Sequence, residues 1–218
     1  MKKATLFKQF GLLLAMLALF QCALIGQTLK EFFNDNSIPL LYLGIDFTRT
    51  RLIDDNTANV EDIRERQYAG INDVIIDEAK KYDVKAAFHR NTMDHDLGTV
   101  MKRNQAVNAN QIKSTNTSDF HRLNQDSIAA LVNGFDFGTK KGIGLLIVME
   151  ALSKSEKSCA AWVTFVDMGS KKMLATERME GKGSMAFGFR NYWAATVKSV
   201  IESIEKKKYN EWKTKYGS

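Results

Sequence analysis

The spacing of apolar positions changes along the chain and predicts helices in its first part and strands later. A short, almost continuously apolar run over residues 40–48, rich in branched and aromatic residues, predicts a buried strand. A second short strand is predicted over 84–88, and a loop over the charged segment 49–59. Apolar residues at three- and four-residue spacing predict amphipathic helices over 60–82, 93–107, 120–133 and 191–208.

In the later part of the chain, apolar positions recur with a period of two residues. Three strands are predicted, separated by short polar segments, over 143–152, 159–167 and 173–180. Connections this short join strands that are antiparallel neighbours in a sheet. The Asn, Gln, Ser and Thr residues that dominate 104–119 favour a loop. The whole pattern predicts an α+β domain, with helices packed on a mixed sheet that ends in an antiparallel three-strand meander.

The first 26 residues have the layout of a secretory signal peptide. Lys2, Lys3 and Lys8 make the start basic, and residues 10–20 form an uncharged apolar run. Because a membrane-spanning helix needs about 20 apolar residues, this run is too short to be one. The chain is therefore predicted to be exported, to the periplasm or in association with the outer membrane.

Cleavage after Gly26 divides the chain into four parts. Two alternatives stay open: retention of the segment, and a lipid anchor on Cys22, which is disfavoured because Gln21 stands where lipoprotein signals need a small residue. The predicted parts are a signal peptide over 1–26, a leader over 27–38, one α+β domain over 39–210 and a tail over 211–218.

Composition and charge limit the class of protein to which the chain can belong and the kinds of partner it is predicted to bind. With 44% hydrophobic and 26% charged residues, the 218-residue chain is not of the disordered class. Loss of residues 1–26 removes three lysines and no acidic residue, so the formal net charge falls from +6 to +3. The remaining lysines mark predicted turns and helix ends instead of forming a face with aromatic residues. No nucleic-acid partner is therefore predicted, and peripheral contact with a membrane surface stays open.

The late strands and the closing helix resemble a family of bacterial envelope accessory domains. A strand ending in Val166-Asp167, a turn with Gly169, a further strand, Gly181-Lys182-Gly183 and an amphipathic helix follow one another. This order is similar to that in the periplasmic domain of curli-secretion lipoproteins, in penicillin-binding-protein activator lipoproteins and in the N-terminal domain of the Tol-system propeller protein. The chain keeps the Asp and Gly of the family's turn but not its usual Thr-Gly order. The resemblance implies a non-enzymatic domain, without cofactor, that docks on an envelope protein or peptide.

A contact site is predicted where the first strand ends. Asp46 lies toward its C-terminal end, and Arg49 and Arg51 follow just beyond it. Ligands often bind outside the carboxyl ends of strands in open sheets, so these three residues are candidates for contact with a ligand or partner. A salt-bridged strand exit is the other interpretation of the same residues.

A metal-dependent hydrolase is the alternative function. His89, Asp94, His95 and Asp96 lie within eight residues of one another, and imidazole and carboxylate groups bind Zn, Mn and Fe. Their spacing disfavours a shared metal, because adjacent residues on a helix point in different directions. A polar helix start, with Asp96 in its first turn, accounts for the same residues.

Overall fold

One mixed β-sheet forms the centre of the structure, a computed structural model that describes residues 28–218. The predicted signal peptide, its cleavage site and Cys22 lie outside the described residues. The sheet has seven strands in this part of the chain. In chain order they are β1 (Leu40–Asp46), β2 (Arg51–Ile53), β3 (Met93–His95), β4 (Lys113–Ser114), β5 (Ile143–Ser153), β6 (Ser158–Asp167) and β7 (Lys172–Lys182).

β5 is the central strand, and two strands lie end to end along one of its edges. β1 pairs with β5 in parallel as far as Asp46 opposite Val148, and β2 continues in parallel with Arg51 opposite Ala151. β3 extends the sheet beyond β1 and β4 extends it beyond β2, both in parallel. On the other edge, β5 pairs antiparallel with β6, which pairs antiparallel with β7. The α+β class with a mixed sheet is confirmed.

Helices cover both faces of this sheet. Two of them, α2 and α6, are long and contain one π-helical segment each, at Ile63–Gln67 and Ile204–Lys208. None of the helices within residues 28–218 combines the length and the apolar character that crossing a membrane requires. They are α1 (Leu29–Asn34), α2 (Val60–Asp62 continued by Tyr68–Asp77), α3 (Val84–Ala87), α4 (Gly98–Gln105), α5 (Gln125–Asn133) and α6 (Phe189–Ser203 continued by Tyr209–Tyr216).

The core has two layers because β5 is buried on both faces. Leu145 and Ile147 point into the larger layer, which also holds apolar residues of α1, α2, α3 and α6. Leu146 and Val148 point into the smaller layer, which α4 and α5 cover. A strand buried on both faces needs apolar residues at every position, which explains the unbroken apolar run of β5.

The predicted strand over 84–88 is wrong, because the segment forms helix α3. The Asp83 side chain accepts a hydrogen bond from Ala86 N at 2.8 Å and so caps the helix. Val84, Ala87 and Phe88 are all buried, at the three- and four-residue spacing of one helical face. Five residues are too few for apolar content alone to separate a helix from a strand.

Three short strands lie in segments that were predicted as loop or helix. β2 occupies part of the predicted loop 49–59, and β4 part of the predicted loop 104–119. β3 occupies the start of the helix predicted over 93–107, so that α4 begins only at Gly98. Strands of two or three residues cannot show a period of two, and each of these forms against a neighbouring strand, β2 on β5, β3 on β1 and β4 on β2.

Both ends of the described chain pack on the core. Phe32 and Phe33 of α1, within the predicted leader, are fully buried. In the segment predicted as a tail, α6 continues to Tyr216 and Trp212 is buried. Asn34 Nδ2 donates a hydrogen bond to Gly217 O at 2.7 Å and joins the two ends. Helix α1 and the end of α6 therefore belong to the folded domain.

A substitution at Gly181 tests the packing of α6 on β7. A Cβ at Gly181 would lie 2.0 Å from Thr196 O, a backbone atom that cannot move aside without shifting the helix. We expect Gly181→Ala to lower the free energy of unfolding, measured in urea, by about 2 kcal/mol or more. In the control Gly134→Ala, the nearest atoms lie at 3.7 Å, and a change within about 0.5 kcal/mol is expected. Equal stabilities of the two variants would contradict this packing.

Candidate functional site

Side chains of two helices hold the end of β1 and the irregular segment 47–50 that separates it from β2. Asn72 of α2 accepts a hydrogen bond from Ile45 N at 2.7 Å, and Asn104 of α4 accepts one from Phe47 N at 2.7 Å. Thr50 Oγ1 donates to Met149 O at 2.9 Å. These bonds satisfy backbone groups that would otherwise be buried without partners, so the chain can leave the sheet and re-enter it at β2.

Asp46 is fully buried at the end of β1 and is engaged in an ion pair. Arg103 Nε of α4 donates to Asp46 Oδ2 at 2.6 Å, and Thr48 N donates to Oδ1 at 2.8 Å. The arrangement is that of a salt-bridged strand exit. Arg49 is exposed and Arg51 half-buried, so only these two of the three predicted contact residues reach solvent.

A second buried carboxylate, which the sequence analysis missed, lies at the bulge of β5. Glu150 accepts hydrogen bonds from Arg178 Nε at 2.8 Å, from Trp162 Nε1 at 3.1 Å and from Leu123 N. Arg178 Nη2 also donates to Phe120 O at 2.6 Å. An acidic residue inside an otherwise apolar strand was the signal in the sequence. The network ties the strands to the turn that precedes α5, so its role is structural.

A cavity of about 310 Å³ opens beyond the C-terminal ends of β2 and β5. Asp55 follows β2 and Lys154 follows β5, and both line the cavity. Ile63 of α2 together with Phe189 and Tyr192 of α6 form an apolar wall. The cavity thus occupies the position where ligands bind in open sheets. None of Asp46, Arg49 and Arg51 lines it, because β2 continues the line of β1 and carries the chain further along β5.

Of the three charged groups that the described residues contribute to the cavity lining, two pair with each other, and the third pairs with residues outside the lining. Lys154 Nζ lies 3.8 Å from Asp55 Oδ2 and 4.5 Å from the centre of the Tyr192 ring. Asp62 accepts a hydrogen bond from Gln67 Nε2 at 2.7 Å and pairs with Arg66, and neither partner lines the cavity. The bond from Gln67, followed by that from Arg66, lowers the pKa of Asp62, so this carboxyl group is ionised at neutral pH. The lining thus combines apolar side chains with two carboxylates and one ammonium group.

Helix α2 changes from α-helical to π-helical winding where it lines the cavity. Asn59 caps its start, accepting hydrogen bonds from Glu61 N at 3.1 Å and Asp62 N at 3.2 Å. The π-helical segment begins at Ile63, which belongs to the cavity wall. Such segments are frequent at functional sites, because the extra residue re-aims the side chains around it.

The rim loop, residues 183–188 between β7 and α6, borders the cavity. Ala186 and Gly188 line the cavity, whereas Met185 and Phe187 are 104% and 95% exposed. Gly188 has a φ of +79°, in the left-handed region that favours glycine. The signal for this loop in the sequence is an apolar stretch set between Gly183 and Gly188.

The predicted metal ligands lie in different environments. His89 stacks on Tyr209, with ring centres 3.9 Å apart, whereas Asp94 and His95 are exposed on the edge strand β3. Asp96 pairs with Lys140, with 2.7 Å between Oδ2 and Nζ. Across residues 28–218, no three His, Cys, Asp or Glu side chains are arranged to hold a metal ion. The structure does not bring these four residues together as a ligand set.

Comparisons with known proteins found a distant likeness. No protein-family model and no curated protein matches the chain. The crystal structure of lipoprotein GNA1162 from Neisseria meningitidis is similar to it with 13% sequence identity and a TM-score of 0.30. That likeness covers 78% of this chain and 98% of the other. The comparison does not place the chain in a family.

The ion pair of Asp96 with Lys140 predicts a lowered pKa for the Asp96 carboxyl group. Hydrogen bonds from Lys140 and then from Gly98 N lower the pKa of Asp96 below its ordinary value of 3.8. The ion pair therefore stabilises the fold above that ordinary value, and its contribution is lost as the pH falls through the lower, folded-state pKa. NMR titration should show this lowered pKa, and Lys140→Gln should raise it toward the ordinary value. An unchanged pKa in Lys140→Gln would contradict the pairing.

Proposed function

We propose that the protein is an exported, non-enzymatic accessory domain that binds a peptide segment of a cell-envelope partner in the cavity beyond β2 and β5. Support for export comes from the predicted signal peptide. Support for binding comes from the place and the lining of the cavity. The observation that carries the proposal is the combination, in one lining, of the apolar side chains of Ile63, Phe189 and Tyr192 with the charged groups of Asp55 and Lys154.

The size of the cavity suits one anchoring side chain of a peptide. Ligand pockets span about 300–1,000 Å³, and this cavity, at about 310 Å³, lies at the lower end of that range. Full burial of one large apolar side chain contributes about 1.5–3 kcal/mol. A single anchor of this kind gives reversible binding, which is suited to an accessory domain.

The polar groups of the cavity suit the peptide backbone. Lys154 lies beside Asp55, and Asp62 pairs with Arg66 outside the lining, so each charged group has an opposite charge nearby. The side chain of Lys154 is 42% exposed and keeps N–H groups free to donate to peptide carbonyl oxygens. Apolar anchoring and backbone hydrogen bonding together define an extended peptide with one large apolar residue.

Filling the cavity tests this proposal. Ala58 lines the cavity and is half-buried, so Ala58→Trp should occupy the space that the anchor needs. Peptides selected from a random phage-displayed library on residues 27–218 should bind Ala58→Trp at least about tenfold more weakly, a loss of about 1.4 kcal/mol. Calorimetric titration measures the affinities, and thermal unfolding confirms that the variant is folded.

The control is Ala130→Trp, which adds the same side chain at an exposed position of α5. It should leave the affinity of the selected peptides unchanged. Peptides that bind the wild-type protein and Ala58→Trp equally well would show that the cavity is not the binding site.

A further inference from the structure

The rim loop presents two large apolar side chains that the described residues leave fully uncovered. Met185 and Phe187 are 104% and 95% exposed, more than any other large apolar residues of the described chain. Scattered apolar residues on a surface need no explanation, but these two lie two positions apart at the tip of one loop. Such exposure means that the tip is convex and projects away from the rest of the fold.

Basic residues flank the rim loop along the chain. Lys182 and Arg190 lie on either side of it, and no Asp or Glu occurs between Gly181 and Ile201. Gly183 N donates to Lys157 O at 2.7 Å, which places the hairpin between β5 and β6 beside the loop. That hairpin adds Lys157 next to Glu156, whereas the acidic residues near the loop, Asp55 and Asp62, lie in the cavity.

The projecting shape of the rim loop and the basic residues that flank it favour a lipid surface as its binding partner. A protein partner would need a groove shaped to receive both side chains, whereas the interfacial layer of a bilayer accepts any projecting apolar group. Anionic headgroups attract basic residues that flank such a group. Phenylalanine with flanking cations is a common composition of surfaces that bind membranes in this way.

We propose that the rim loop is a membrane contact, in which Met185 and Phe187 insert into the interface of an anionic bilayer while Lys182 and Arg190 bind its phosphate groups. The proposal does not depend on peptide binding, since neither Met185 nor Phe187 lines the cavity. It would hold the opening of the cavity close to the membrane surface, because Ala186 and Gly188 of the same loop do line it.

Sedimentation with vesicles tests the membrane contact. Residues 27–218, which include every described residue, should bind vesicles of phosphatidylglycerol and phosphatidylcholine and bind pure phosphatidylcholine at least about tenfold more weakly. The double variant Met185→Ser/Phe187→Ser should lower the partition coefficient on the anionic vesicles by at least about tenfold. Met101→Ser, at a half-buried methionine of α4, is the matched control and should leave it unchanged.

A fluorescence measurement places the loop in the bilayer directly. Trp162, Trp193 and Trp212 are buried, so brominated lipids should quench their emission little. In Phe187→Trp, the added indole should be quenched when brominated anionic vesicles are present. Equal binding to both vesicle types, an unchanged partition coefficient in the double variant, or an unquenched indole would overturn the proposal. Loss of peptide binding without loss of vesicle binding in the double variant would assign the loop to a protein partner and overturn it equally.

Discussion

The re-entry of the chain into the sheet at β2 is the constraint on which the rest of the structure depends. One edge of β5 is shared by β1 and β2, and the side-chain amides of Asn72 and Asn104 hold the end of β1 and the start of the segment between the two strands. A buried backbone group without its partner costs about 1–3 kcal/mol, so these amides stabilise the departure of the chain from the sheet before β2. The end of β2 in turn determines the position of Asp55 and of the start of α2, which form one side of the cavity.

The cavity and the rim loop lie at the same end of the sheet. The cavity is built from segments that follow β2 and β5, from the first turns of α2 and from the start of α6. The rim loop belongs to the same surface, because it leads from β7 into α6. The buried pairs of Asp46 with Arg103 and of Glu150 with Arg178 lie deeper and hold this end of the sheet together. A rigid base with a projecting loop is an arrangement suited to docking, and it separates binding in the cavity from contact by the loop.

The sequence predicts the elements that its own pattern specifies and misses those that depend on distant partners. The apolar runs of β1, β5 and β6 and the stripes of the long helices are local properties, and these elements lie where they were predicted. β2 forms because it pairs with β5, which lies about a hundred residues away in the sequence. Helix α3 depends on a single N-cap residue, Asp83. The predicted contact residue Asp46 is fully buried, and Arg103, far away in the sequence, pairs with it. The cavity could not be predicted, since its wall joins residues of two helices and three loops.

Site-specific photo-crosslinking in living cells tests the central claim, that the cavity binds a partner, most directly. A photoreactive amino acid at Thr57, which is exposed and lines the cavity, reports what occupies it. The same group at Asn110, exposed in a short 3-10 turn outside the cavity lining, is the control. One discrete adduct with an envelope protein is expected from position 57, absent from position 110 and lost when tryptophan replaces Ala58. No adduct from position 57, or the same adducts from both positions, would contradict this claim.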